Sequence, residues 1–160
     1  MKYLPLLAAL VAAPAYADMK IEIPFTAQIA GQPFDCKASY EGLGSTGTTV
    51  QVADFRLYAS NFRLIAEDGS EVPVALDQDG TWQLGDTVLL DFEDASGTCA
   101  NGTAETNTVV KATVPDGNYA GLLFDIGVPF AQNHGDATLA ASPLNLTAMF
   151  WTWQFGYKFV

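Results

Sequence analysis

Along residues 21–30, Ile21, Ile23, Phe25, Ala27 and Ile29 alternate with Glu22, Pro24, Thr26, Gln28 and Ala30. A two-residue period sends successive side chains to opposite faces of a pleated strand, so the stretch predicts a half-buried strand. Pro24 cannot donate to a ladder and marks that strand as an edge. Shorter runs follow at Thr48 to Val52, Phe55 to Ile65, Thr87 to Phe92, Thr108 to Val114 and Tyr119 to Phe130. Between them stand Asp68-Gly69, Asp79-Gly80, Asn101-Gly102 and Asp116-Gly117, pairs that accept the positive φ of tight hairpins. Many short strands at close spacing, with almost no 3.6-residue period, predict an all-β chain folded as an antiparallel β-sandwich. The one helix expected is short and lies near residues 136–142. It runs from an Asp136 N-cap through Ala137 to Ala140 and breaks at Pro143.

The last dozen residues are the most unusual. Read as one strand, Met149, Trp151, Trp153, Phe155, Tyr157 and Phe159 share a face, and Phe150, Thr152, Gln154, Gly156, Lys158 and Val160 take the other. Aromatic side chains favour sheets and carry large buried areas, so the pattern predicts a central core strand, with a functional aromatic site as the alternative. The chain stops inside this pattern without a turn, cap or polar tail, and we read the sequence as a truncated form of a longer protein.

Composition narrows the function. The 160 residues carry 18 Asp plus Glu against 7 Lys plus Arg, for a net charge of −11, and 49% are hydrophobic. That hydrophobic share supports one folded domain, residues 18–160, rather than a disordered chain. The charge excludes nucleic acid as a partner, because a phosphate backbone is held by clustered cations. Residues 1–17 pair a cation at Lys2 with an apolar run from Leu4 to Ala13 and end on Ala15-Tyr16-Ala17, the layout of a secretory signal peptide. The expected location is therefore periplasmic, secreted or cell-surface, and no stretch is long and apolar enough to predict a membrane span. In such an oxidising compartment Cys36 and Cys99 are expected to form one disulfide.

Candidate chemistry is sparse. A single His excludes a His-rich metal cage within this chain and leaves one possible base for a catalytic triad. No pair of carboxylates is singled out by spacing, and we expect no enzymatic turnover. Gly42-Leu43-Gly44-Ser45-Thr46-Gly47 has the letters of a dinucleotide loop but precedes a strand rather than a helix, so it reads as a surface loop. Asp77-Gln78-Asp79-Gly80 resembles the opening of a calcium loop, yet Val88 stands where its bidentate Glu belongs, which favours a turn. The stretch Asn133-His134-Gly135-Asp136 differs, being polar and placed between an expected strand and an expected helix start. A neutral imidazole there suits a metal ligand, and hydrogen bonding to a loop backbone is the alternative. Additional ligands would come from Asp136, Met149, a modified side chain or another protein.

Several ordered stretches then belong together: Asp54-Phe55-Arg56-Leu57-Tyr58, Trp82-Gln83, Leu89-Leu90-Asp91-Phe92-Glu93, Cys99 with Gly102-Thr103 and Asn107, Gly127-Val128-Pro129-Phe130 with Asn133-His134 and Asp136, Pro143-Leu144-Asn145, and Phe150-Trp151-Thr152-Trp153-Gln154 leading into Gly156-Tyr157-Lys158-Phe159. The series resembles the MbnP-like family, also called the metallo-mystery pair four-Cys motif proteins, over nearly the whole mature chain. The resemblance implies a secreted copper-binding β-sandwich that works with a di-haem cytochrome-peroxidase-like partner. It implies that the partner oxidises a tryptophan to kynurenine, which then helps His ligands bind copper. The matching positions here are His134 for an imidazole, and Trp151 or Trp153 for the oxidisable tryptophan, with Trp82 as a further candidate. Two departures stand out: only Cys36 and Cys99 answer to the four cysteines, and no second His is present. A ring-opened indole exposes an aryl amine and a carbonyl, so a modified tryptophan is expected at an edge or mouth of the fold, not in its core. An exposed aromatic platform on a non-catalytic interaction or carbohydrate-binding sandwich is the alternative, and exposure discriminates the two, because a binding platform needs a contiguous accessible aromatic patch.

Overall fold

The structure is a computed structural model that describes residues 17–159. The leader read at residues 1–17 lies outside the described residues except for Ala17. Two antiparallel sheets form the body. In one, strand Val109–Pro115 is central, flanked by Asp18–Pro24 and Ala75–Leu76. In the other, the long strand Arg56–Ala66 lies between Tyr119–Ile126 on one side and Thr87–Asp91 with Glu71–Pro73 on the other, and Gln83–Leu84 closes the far edge. This is the all-β sandwich expected from the hydrophobic pattern.

The alternation that begins at Ile21 persists in burial as far as Ile29, although the paired strand ends at Pro24, whose ring nitrogen carries no proton for a ladder. Ile21 and Ile23 meet Val110, Ala112 and Val114 from their own sheet, and Ala59, Phe62, Leu64, Val88 and Leu90 from the other, in one apolar core. Phe25, Phe62 and Phe124 fill one end, with Phe62 and Phe124 stacked at 5.4 Å. Ala59 and Phe62 enter the same core although three residues apart. Asn61 absorbs the odd residue at φ +53°, a conformation that Asn tolerates better than most residues, and its amide side chain reaches Asp125 at 2.8 Å. Gln83 ties the two sheets: its side-chain NH2 donates to the Asp77 and Lys111 carbonyls, and its oxygen accepts the Lys111 N–H at 2.9 Å.

Thr87–Asp91 is buried at every position, because both faces of its sheet are covered. Val88 and Leu90 face the core between the sheets, while Leu89 and Tyr58 point outward into a second cluster with Ala137, Leu144, Met149 and Tyr157. Residues 128–157 thus supply an irregular outer layer over the second sheet. Within that layer the helix lies at Phe130–Asn133, not near residues 136–142. Asp136 does cap as expected: its side chain accepts the Thr138 N–H at 2.9 Å and the Thr138 hydroxyl at 2.7 Å. Its carbonyl takes the Leu139 and Ala140 N–H groups, and the chain leaves after that one turn, so no regular helix follows. Pro143, two residues from where a second turn would close, has no N–H to extend the ladder.

Asp116-Gly117 does not close a hairpin: the strands on either side belong to different sheets, so the pair carries the chain across the sandwich. Asp79-Gly80 likewise makes no two-residue hairpin, because the Asp79 carboxylate accepts the N–H groups of Thr81, Trp82 and Gln83 and folds the chain around itself. Gly44 to Gly47 form the turn between strands Tyr40–Leu43 and Thr48–Val50, in keeping with the loop reading, while Gly42 and Leu43 end the first strand. Cys36 and Cys99 are bonded and buried, with Cα atoms 5.6 Å apart. Among the described residues no helix is long and apolar enough to cross a membrane.

Candidate functional site

The aromatic run 149–159 does not form the single core strand that its alternation predicts. Phe150–Thr152 pairs with Gly156–Tyr157 in a hairpin whose turn is Trp153 to Phe155. Alternation of large and small side chains cannot distinguish a straight strand from one that doubles back, and Gly156, at φ +73°, is where the chain reverses. The result divides the aromatics. Tyr157 goes inward, its ring edge-on to Tyr58 at 5.5 Å and Phe150 at 4.9 Å, with its hydroxyl donating to the Leu144 carbonyl. Trp151 and Trp153 go outward, 65% and 70% exposed, accompanied by exposed Phe155 and Phe159.

Two hydrogen bonds lock the hairpin to the helix Phe130–Asn133. Asn133 accepts the Tyr157 N–H on Oδ1 at 2.7 Å, and the same oxygen occupies the space that any Cβ at position 156 would need. His134, the residue that ends the helix, places Nδ1 2.7 Å from the Trp153 carbonyl. A carbonyl only accepts, so Nδ1 carries the proton, and in the neutral ring the lone pair is then on Nε2. The exposed imidazole also leans edge-on against the Phe130 ring at 5.2 Å. This arrangement fixes the ring by its inner nitrogen and leaves the other nitrogen available as a donor, the orientation in which protein imidazoles bind metals.

The structure therefore brings His134 and Trp153 together from two separate sequence motifs. Trp151 lies on the same hairpin, with the Lys158 ammonium 5.4 Å from its ring centroid. Beside Trp151 and Lys158 is a recess of about 540 Å³, lined also by Asn133, Phe155, Tyr157 and Phe159, that neither His134 nor Trp153 lines. Asp136 has Oδ1 committed to Thr138, whose two hydrogen bonds hold the carboxyl below its ordinary pKa. Met149 is buried in the outer cluster, its carbonyl taking the Lys158 N–H at 2.8 Å. Trp82 stands apart, half-buried in the wall of a second recess. Among the described residues no three His, Cys, Asp or Glu side chains are grouped so as to hold a metal ion.

That second recess, of about 290 Å³, has Arg56 and Asp91 among its lining residues, with Trp82, Leu89, Pro143 and Leu146. Arg56 is buried and grips Asp54 through Nε and a terminal nitrogen at 2.8 and 2.6 Å, and that bond, with Glu93 and Asp91 nearby, holds its charge. Glu93 is fully buried 3.3 Å from Arg56 Nε, an ion pair that lacks hydrogen-bond geometry, and burial raises its pKa. Burial likewise pushes the Asp91 carboxyl up to about 6, against the lowering effect of the Glu93 N–H that it accepts. The motif Leu89 to Glu93 is thus a charge cluster inside the fold. Spacing alone could not have found it, because the partner Arg56 is far away in sequence. Lys158 escaped notice for a related reason: its place over Trp151 depends on the hairpin.

Comparison with known proteins adds a likeness over most of the chain. Residues 18–160 match the family model of MbnP. A solved structure described as MbnP from Methylosinus trichosporium superposes with a TM-score of 0.76 at 32% identity, over 90% of this chain and 54% of that one. The chain thus spans about half the length of that relative. No curated protein matches it.

Proposed function

The chain belongs to the MbnP family, and from that premise we propose that it is an exported copper-binding protein acting with a di-haem cytochrome-peroxidase-like partner that oxidises one of its tryptophans. The protein performs no turnover of its own; it takes up or holds copper at the periplasm or cell surface. One observation carries the reading: His134 is hydrogen-bonded through Nδ1 to the backbone of Trp153, which belongs to a hairpin whose two tryptophans are exposed.

The donor chemistry fits copper. An imidazole nitrogen suits that metal, and a tryptophan opened to kynurenine adds an aryl amine on the same hairpin. Exposure of Trp151 and Trp153 meets the physical requirement on such a residue, since the new amine and carbonyl can be hydrated, and an oxidant can approach the ring. Met149 is surrounded by the outer cluster and Asp136 Oδ1 is engaged by Thr138, so His134 and the kynurenine amine are the donors that this chain offers most directly, and further positions are filled from elsewhere. The net charge of −11 favours a partner that docks with a basic face.

The test is a copper titration of protein taken from cells that contain the haem partner. His134→Ala should weaken binding by at least about tenfold; unchanged affinity would remove His134 from the site. A second reading has its own support in the exposure of Trp151, Trp153, Phe155 and Phe159, which together offer an aromatic platform for a carbohydrate or protein ligand. Oligosaccharide binding by metal-free, unmodified protein would favour it.

A further inference from the structure

Trp151 and Trp153 are almost equally accessible, at 65% and 70%, so approach by an oxidant does not choose between them. What differs is the charge beside each ring. The Lys158 ammonium lies 5.4 Å from the centroid of Trp151. It is anchored there: Nζ donates to the Ala148 carbonyl at 2.8 Å, and the Lys158 N–H donates to the Met149 carbonyl at 2.8 Å. Among the described residues this is the cation found over a tryptophan face. Trp153 instead has its carbonyl bonded to His134.

On the reading given under Proposed function, we infer that Lys158 selects Trp153 over Trp151 as the tryptophan to be oxidised. The first step removes one electron from an indole π system and passes it to the oxidised haem of the partner, which is reduced by one. The ring proton on Nε1 becomes acidic and goes to water. An ammonium over the ring is attracted to the neutral indole and repelled by the radical cation, so it opposes this step at Trp151. At Trp153 the step carries no such penalty. With the haem oxidised and re-oxidised by hydrogen peroxide, the whole conversion, first step included, balances as indole plus two hydrogen peroxide giving N-formylkynurenine and two waters, with the C2–C3 bond broken and an oxygen added at each carbon. Hydrolysis of the formyl amide by one water releases formate and leaves kynurenine. At Trp153 the resulting amine stands on the residue that already orients His134, so selection at this residue joins the modification to the imidazole.

Lys158 is a positioning residue, and its role can be tested with the full chain made without the partner. The protein is exposed briefly to photogenerated carbonate radical, a small one-electron oxidant, and oxidised tryptophan is located by fragmentation mass spectrometry. Oxidation at Trp153 should exceed that at Trp151 by roughly fivefold. Lys158→Gln should bring the two close to parity, and Lys158→Arg, which keeps the cation, should preserve the preference; a merely structural lysine would not show this split. Equal oxidation in the native chain would overturn the inference, as would an unchanged ratio in Lys158→Gln with the hairpin's near-ultraviolet circular dichroism intact. Coexpression with the haem partner separates the two levels. Kynurenine at Trp151 or Trp82 of the native chain would overturn this inference alone, whereas kynurenine at none of the three tryptophans would overturn the function on which it rests.

Discussion

At position 156 a single hydrogen in place of a side chain decides the geometry of the candidate site. Gly156 turns the aromatic run back on itself at φ +73°, and Asn133 Oδ1 fills the place of its missing Cβ while holding the Tyr157 N–H. Gly156→Ala should therefore cost about 2 kcal/mol in chemical denaturation, from left-handed strain and a displaced Asn133, and should loosen Trp153 from His134. His134 itself was legible as a candidate from its polar loop and its being the one imidazole. Its tautomer was not, because that depends on a carbonyl 19 residues later in the chain. Asp91 gives a pH signature. Burial raises its carboxyl to about 6, above the ordinary value near 4. The folded chain thus binds that proton more tightly than the unfolded chain, and this group's contribution to stability falls as pH rises from about 4 to about 6. Urea denaturation across that window should show the decline in the native chain and a flatter profile in Asp91→Asn.

Among the elements, the central strands of the two sheets are the most legible in the sequence. Arg56–Ala66, Thr87–Asp91 and Val109–Pro115 each fall within a residue of the runs expected from period-two burial. Tyr119–Ile126 was overextended by four residues, because Val128 and Phe130 keep the apolar pattern going after Gly127, at φ +123°, has taken the chain out of the sheet. The outer layer was least legible: a one-turn cap, a four-residue helix and a hairpin are held by side-chain to backbone bonds between distant residues, and local periodicity carries none of that information. The pairing of Cys36 with Cys99 needed only an even count and an exported context. It fastens the loop that carries Gly102, whose Cα packs on the buried Glu93 carboxylate, to the segment before strand Tyr40–Leu43. With 63 positions between the cysteines, replacing both by Ala should lower stability by about 4 kcal/mol in the chain-entropy account. The native chain, unfolded without reductant, should take up no thiol reagent; labelling at both cysteines would contradict the bond.

Seen whole, the molecule is an acidic sandwich with one face of its larger sheet covered by an irregular layer, and the exposed aromatic hairpin sits on that layer. The body is rigid by construction, with two sheets closed over one core and tied by Gln83, so it presents His134 and the tryptophans at a fixed place. The central claim is that the aromatic hairpin is a substrate for oxidation before it serves as a metal site. Peptide mass spectrometry of the protein isolated from its native host tests it most directly, at the segment holding Trp151 and Trp153. The account predicts kynurenine at Trp153. Unmodified tryptophan at both positions, in cells that express a di-haem partner, would contradict it and leave the hairpin as an aromatic binding platform.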